Sequence, residues 1–447
     1  LYIVPTVIAQ PSSTHEKSDT FETDLHKMYP TVWLMQLAKK TKFIKRERKI
    51  KPDIIFWSLA LGFCDRSQRT IAGFKRLYEK EANTSLSDSS WYDRFTPEFA
   101  EFLHKCVIHG IEELEKEPGR KLSEKLRKFK DILIQDSTII RLHDSLANTF
   151  PATRARKIAA GVKVGVMISA IANGPKTVAL YSENTAEIKT LRIGPWIKDR
   201  ILLVDLGFYK TQLFARVEGN GGYFVSRIRK NMDPFIVSIE SGILEKKREE
   251  FIGKRVSELT KQLSGKDLDA VVKIAFKRRA YKGKQRKYEM HVRLVATYNC
   301  TEEKYHIYIT NIQKDVLDVN DIAKLYGARW EIELLFKELK SGYALDEIDT
   351  KNVQIIKAFI WTSILTLIVS RRLHNFVKNS LVDAEKKVRY TQLLWSKIFT
   401  SNVLDLLKLL LKNCEVKRVS ETLMRVYISQ GLDPHVNKKR FRAQWVE

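Results

Sequence analysis

The spacing of apolar positions changes twice along the chain, and those changes divide it. From Thr31 to about residue 128 they recur at helical intervals, through TVWLMQLAKKTKFIKRERK, DIIFWSLALGF opened by Pro52, QRTIAGFKRLYEKE capped by Ser67, and WYDRFTPEFAEFLHKCVIHGIEELEKE. At Asp131 the texture shortens. DILIQDSTIIRL is rich in β-branched residues and predicts a strand; VKVGVMISAI and KTVALYS predict two more, joined across Asn173, Gly174 and Pro175. A short helical piece at 187–197 precedes RILLVD, an unbroken apolar run of the kind found in strands covered on both faces. FYKTQLFARVEG then reads as helix and GYFVSRIR as strand. Between Met232 and Ile312 the period is again two, in DAVVKIAF, YEMHVRLVATY and EKYHIYITNI. Helical spacing returns at Tyr326 to Lys340, in the buried-looking run Ala358 to Ser370, and in SNVLDLLKLLLKN and ETLMRVYIS.

A three-stranded meander followed by alternating strand and helix predicts an α/β protein: a ribonuclease-H-like mixed sheet flanked by helices, interrupted by an antiparallel β insertion, with helical N- and C-terminal regions. The expected organisation is a flexible arm at 1–30, a helical DNA-binding region at 31–128, a catalytic core in two parts at 129–231 and 316–378, a β-rich insertion at 232–315 between them, and a helical C-terminal region at 379–447.

Charge narrows the class. The 447 residues carry 79 Lys and Arg against 53 Asp and Glu, a net charge of +26 spread along the whole chain, which points to a polyanion partner. Nucleic acid fits better than membrane, because no stretch reaches the roughly 18 apolar residues of a spanning helix. Four scattered cysteines make neither a zinc site nor a disulfide framework and fit a reducing cytosol, and the apolar start LYIVPTVIAQ has no basic leader before it. Arg69, Lys75, Arg76 and Arg94 would face outward from a helix, turn and helix, which is equally an ordinary basic bundle or a helix-turn-helix-like DNA reader. Basic loops containing Arg154, Arg156 and Lys157, and Arg278 and Arg279 within a run from Lys277 to Lys287, are solvated tips or grips on a DNA backbone.

The sharpest chemistry lies in YGARWEIELLFKELK. On a helical wheel Tyr326, Arg329, Glu333, Lys337 and Lys340 form one stripe, opposite Ile332, Leu335, Phe336 and Leu339. An amphipathic helix with ion pairs such as Glu333 with Lys337 would look the same. One carboxylate framed by cations and a phenol instead suggests phosphate or metal chemistry, and two further acids are then required. Asp136 shares strand parity with Ile132 and Ile134, where an unpartnered carboxylate is costly. Asp205 closes ILLV at the carboxyl end of its strand, where open sheets place ligands. Asp131 and Asp144 are rivals for the first acid, and Glu331 and Glu338 for the last.

In order along the chain stand DST (Asp136 to Thr138), DLGFY (Asp205 to Tyr209), YFVSR (Tyr223 to Arg227) and Tyr326, Arg329, Glu333, Lys340 at the spacing Tyr-x2-Arg-x3-Glu-x6-Lys. From about residue 50 to 375 this resembles the insertion-sequence-4 family of DDE transposases. The resemblance implies that Asp136, Asp205 and Glu333 are catalytic and bind two magnesium ions, with manganese as the alternative, and that Tyr326, Arg329, Lys337 and Lys340 place the DNA end. It implies cut-and-paste transposition through hairpin ends, acting on double-stranded transposon ends and target DNA. A homodimer in a synaptic complex, in a prokaryotic cytoplasm at the nucleoid, is likewise implied, with protomer contacts from the C-terminal helical region at 379–447, which the periodicity of Val403 to Leu411 permits and does not show. The family holds a flipped base on an aromatic of the insertion, for which Tyr281, Tyr288 and Tyr298 are the candidates. A metal-dependent nuclease of the same fold without strand transfer, and a domesticated DNA-binding protein, are the alternative readings.

Overall fold

The structure is a computed structural model, and it describes residues 20–46, 48–65, 69–117, 120–153, 159–277, 286–380, 391–430 and 445. Its centre is one nine-stranded sheet: β1 (Asp131–Leu142), β2 (Ala160–Ser169), β3 (Gly174–Ser182), β4 (Arg200–Val204), β5 (Tyr223–Arg227), β6 (Phe235–Ser241), β7 (Leu268–Lys277), β8 (Lys287–Asn299) and β9 (Lys304–Thr310). The strand order is β3-β2-β1-β4-β5-β9-β8-β7-β6. The first three strands form the antiparallel meander, and β1, β4 and β5 run parallel, the ribonuclease-H-like arrangement the sequence predicts. The insertion is less separate than expected. Its last strand, β9, pairs antiparallel with β5, so insertion and core share one backbone ladder, and its first strand, β6, has no counterpart among the predicted strands.

Six helices precede the sheet: α1 (Phe21–Met28), α2 (Thr31–Lys40), α3 (Pro52–Gly62), α4 (Ile71–Glu81), α5 (Asp88–Tyr92) and α6 (Pro97–Lys116). Part of the expected arm is therefore ordered. Phe21, Leu25 and Met28 are buried, and Asp24 pairs with Arg372, 2.5 Å away. The second helix also stops short of its predicted end, because Phe43 and Ile44 turn inward after Lys42 takes a φ of 62°. Thr70 caps α4; Ser67, the expected cap, lies outside the described residues.

Helix α7 (Thr211–Gly219) follows β4 and lies on one sheet face with Leu133, Leu202, Val204 and Phe224. Two short helices, α8 (Glu245–Arg248) and α9 (Val256–Thr260), sit within the insertion. On the other face, packed on Ile132, Ile134, Ile201 and Leu203, come α10 (Val319–Gly327), α11 (Trp330–Ser341) and α12 (Val353–Asn379). The last of these is longer than the apolar run suggested. At 27 residues it is long and apolar enough to cross a membrane, yet its most apolar window is 83% buried inside the protein, as the central helix of the core.

Helices α13 (Gln392–Ser401), α14 (Val403–Leu410) and α15 (Val416–Gln430) close the core. The apolar positions of Val403 to Leu411 face inward. Val403, Leu406, Leu407, Leu409 and Leu410 are all buried within this chain, in the core cluster that includes α1 and α3, and only Leu404 of that helix is an exposed apolar residue.

Candidate active site

Strand register brings two of the acids together. The β1–β4 ladder ends at Gln135 paired with Val204, so Asp136 and Asp205 occupy the next rung of neighbouring parallel strands, which run about 4.8 Å apart. Alternation sends both to the face of Ile134 and Leu203, the face covered by α10 and α11.

The Tyr326 to Lys340 stripe is not one straight helix. The chain leaves α-helical geometry at Ala328 and Arg329, through short-range bonds from Ala328 N to Leu325 O and from Arg329 N to Tyr326 O, 3.0 Å each. The kink leaves Tyr326 in the last turn of α10 and sets Arg329 just ahead of α11. From there the Arg329 guanidinium reaches Glu333 Oε1 at 2.5 Å and Asp136 Oδ2 at 3.6 Å, while the Tyr326 hydroxyl stands 3.4 Å from Asp205 Oδ1. Arg329, and not Lys337, is thus the partner of Glu333. Lys340 donates to the Ile139 carbonyl of β1 at 3.4 Å, and Lys337 is exposed with no hydrogen bond or ion pair of its side chain among the described residues.

Burial pushes the Asp136 carboxyl up to about 6, against the pull of the Ser137 amide, 2.8 Å away, and of Arg329; Glu187 and Asp205 push it further up. Burial also raises the Tyr326 phenol, and the Asp205 carboxylate beside it raises it more, so it stays protonated and able to donate.

The rival acids are engaged elsewhere. Asp131 is buried, accepting from Ser169 Oγ at 2.6 Å, Ile132 N at 2.8 Å and Ile171 N at 3.3 Å; Asp144 accepts from Ala159 N. Glu331 pairs with Arg120 at 3.4 Å, and Glu338 pairs with the wholly buried Arg371. Those two pairs pin α11 on either side of Glu333.

Four features escaped the sequence reading. Glu187, on a short 3-10 turn against residues 206–208, is a fourth carboxylate near Asp136, and its Oε2 would collide with a Cβ placed on Gly207. Arg229 latches the Asp205 loop by donating to the Leu206 carbonyl at 2.9 and 3.2 Å, and lies over the Tyr209 ring. Gln212 donates to Lys277 O at 2.7 Å, tying the stem of the insertion hairpin to the helix after Asp205. Trp330, next to Arg329, is 58% exposed. Local spacing signals none of the first three, since each depends on loops meeting in space, whereas Trp330 lies in the motif helix itself.

Among the other expected residues, Arg154, Arg156, Lys157, Arg278, Arg279 and Tyr281 lie outside the described residues. Tyr288 stacks on Phe276 across β7 and β8, and Tyr298 packs on Tyr305. Of the four cations expected to face outward from the helical region, Arg69 and Lys75 are paired with Glu347 and Asp88 and Arg94 donates to the Ser90 carbonyl, while Arg76 is exposed.

Two aspartates and a glutamate offer an all-oxygen donor set that suits a hard divalent ion. A guanidinium already neutralises two of them. Among the described residues, no three His, Cys, Asp or Glu side chains are gathered closely enough to hold an ion as they stand. The chemistry of the donor set, and not its present spacing, suits such an ion.

An aspartate within β1 and another just past β4 face a helix-borne glutamate on a ribonuclease-H-like sheet, a donor set that suits an enzyme acting on phosphodiester bonds. The chain belongs to the Transposase DDE domain family, whose sequence profile matches residues 127–369. That family brings a divalent-metal requirement and the cleavage and joining of DNA. The chain is 20% identical over 79% of its length, and 80% of the relative's, to the transposase for insertion sequence element IS1151 of Clostridium perfringens. It is 22% identical over 84% of both chains to the transposase for IS231F of Bacillus thuringiensis subsp. israelensis. In structure it is similar to piggyBac transposase in a synaptic complex with hairpin DNA, at 12% identity and a TM-score of 0.44, over 90% of this chain and 82% of that one.

Proposed function

We propose that the protein transposes an insertion sequence, binding its terminal inverted repeats and using Asp136, Asp205 and Glu333 to hold two magnesium ions, with manganese as a substitute. The observation that carries this reading is the single guanidinium of Arg329 in contact with Asp136 and Glu333, acids from opposite halves of the core. Bound divalent ions supply activation of water and stabilisation of the oxygens in an in-line displacement.

The protein's own groups do the rest. Arg329 gives up Asp136 and turns to a DNA phosphate, for which its planar fork is suited; Lys337 and Lys340 add point charges, and Tyr326 donates from a phenol held neutral. Water first opens the phosphodiester at the element's end and leaves a 3′-hydroxyl. That hydroxyl next attacks the opposite strand, giving a hairpin end, and after the hairpin reopens it joins the target. Each joining step exchanges one phosphodiester for another, so no covalent enzyme intermediate is needed. Exposed Trp330 offers a face for a base displaced near the cut. Two copies acting on paired ends, in a prokaryotic cytoplasm at the nucleoid, complete the reading; their contact surface is not the buried α14.

The test is cleavage of a labelled duplex carrying the element's own end, with magnesium or EDTA, by wild type and Asp205→Ala. Magnesium-dependent nicking followed by hairpin or joined product, all lost in the variant, is expected. Nicking without transfer would make the protein a nuclease, and binding without cleavage a DNA-binding protein only.

A further inference from the structure

From the end of α2 to the start of α3 the chain runs KKTKFIKRERKIK, residues 39–51, and its described residues after Lys40, 41–46 and 48–51, form a loop with most of their cations outside. The helix ends because Lys42 takes a φ of 62°, and Ile44 N closes back on Ala38 O at 3.1 Å. Three apolar residues anchor the loop to the core. Phe43, Ile44 and Ile50 are each less than 8% exposed, with the Phe43 ring 4.6 Å from Phe99 and 5.3 Å from Phe102. Tyr78 clamps the far end, accepting from Lys51 N and donating to Lys49 O, both at 2.8 Å.

Lys40, Lys42, Lys45, Arg46, Arg48 and Lys51 are exposed, and among the described residues none of their side chains makes a hydrogen bond or ion pair. Glu98 feels the charge of Lys42 and Lys45 but is engaged at the start of α6 with Thr96. Holding so many like charges on a preformed loop is unfavourable by itself, and an anionic partner relieves it. The contrast with Arg69, Lys75 and Arg94, all engaged within the protein, sharpens the assignment. No exposed aromatic interrupts the run, so it is suited to phosphates and not to stacked bases.

We propose that Lys40, Lys42, Lys45, Arg46, Arg48 and Lys51 form a sequence-independent clamp on the phosphate backbone of duplex DNA, separate from the acidic site. The proposal rests on the transposase reading for the identity of the polyanion. Because the loop is pre-ordered, binding costs little conformational entropy, and its contribution is counterion release, which depends on salt.

The experiment compares full-length wild type with Lys42→Gly/Lys45→Gln/Arg46→Gln/Arg48→Gln. Glycine suits the positive φ at 42, and the other three side chains are exposed, so the variant is expected to melt with the wild type. Binding is measured by anisotropy on an end-sequence duplex and a scrambled duplex of equal length, from about 50 to 200 mM salt. The variant should bind both at least tenfold more weakly, by the same factor. Its log–log salt slope should be shallower by about 0.9 for each phosphate that is no longer neutralised. An unchanged slope, or a weakening confined to the end-sequence duplex, overturns the clamp while leaving the transposase reading intact. A wild type that binds neither duplex overturns that reading and the clamp together.

Discussion

Glu338 and Arg371 meet where no solvent reaches: both side chains are 0% exposed, and the Tyr343 hydroxyl lies 2.9 Å from the same carboxylate. Because Glu338 shares α11 with Glu333, this pair fixes the rotation of the helix that presents the proposed third acid. Breaking one side of a buried pair strands a charge, at a cost of about 3 to 5 kcal/mol. Glu338→Ala should therefore lower the urea midpoint sharply and reduce end cleavage, while Glu338→Leu/Arg371→Met should recover much of the stability. A double variant as unstable as the single one would contradict this account.

In the proposed function Arg329 competes with a divalent ion for Asp136 and Glu333, with which it pairs. Arg329→Ala should raise the affinity for a non-catalytic divalent ion such as calcium, by about tenfold for a partly buried charge, and yet reduce end cleavage by roughly a hundredfold or more through lost transition-state charge stabilisation. Calorimetric titration with calcium reads the first effect independently of turnover. Weaker calcium binding in the variant would show that Arg329 supports the ion site instead of occupying it.

Asp131 sets a pH dependence of stability. Burial pushes its carboxyl up from 3.8 to about 6, although Ser169 Oγ, Ile171 N and Ile132 N pull the other way. The folded state therefore holds a proton that the unfolded chain releases, and stability declines as pH rises from about 4 through 6, by roughly 3 kcal/mol in all. In urea titrations at successive pH values, wild type should lose that much relative to Asp131→Asn, which cannot titrate. A difference between the two that does not vary with pH would refute it.

Gly207 leaves room for the end of the Glu187 side chain. Alanine there would drive its Cβ into Glu187 Oε2 and displace that carboxylate from the Asp205 loop. Because only the end of a flexible side chain must move, Gly207→Ala should cost less than about 1 kcal/mol, and Gly207→Ala/Glu187→Ala should restore most of it. Additive losses in the double variant would show that the two residues do not meet.

Trp330 should matter to DNA and little to the fold. Trp330→Ala should leave the melting temperature within a degree or two and weaken end binding by about 1 to 3 kcal/mol, with phenylalanine recovering part of it. A large fall in melting temperature with unchanged binding would assign the side chain to packing.

The parts of the fold that were legible in the sequence are those set by local periodicity. The alternation of DILIQDSTIIRL and the unbroken run RILLV place Asp136 and Asp205 on adjacent strands, and the Tyr-Arg-Glu-Lys spacing puts Glu333 and Arg329 one turn apart. Tertiary closure was not legible. A basic tract after α2 has helical composition, yet Phe43 and Ile44 gain more by turning into the core than by continuing the helix. The leucines of α14 carry the same periodicity whether they meet another protomer or α3 of their own chain. Glu187 and Arg229 join the site through loops, whose course depends on which elements they connect.

The ladder from β4 through β5 to β9 and β8 has a mechanical consequence. The insertion cannot swing about a hinge without tearing main-chain hydrogen bonds, so it serves as a ruler, with a set distance between its stem and the strand that ends at Asp205. A duplex engaging both must do the bending, and sequences near the cut that kink easily become the cheaper substrates.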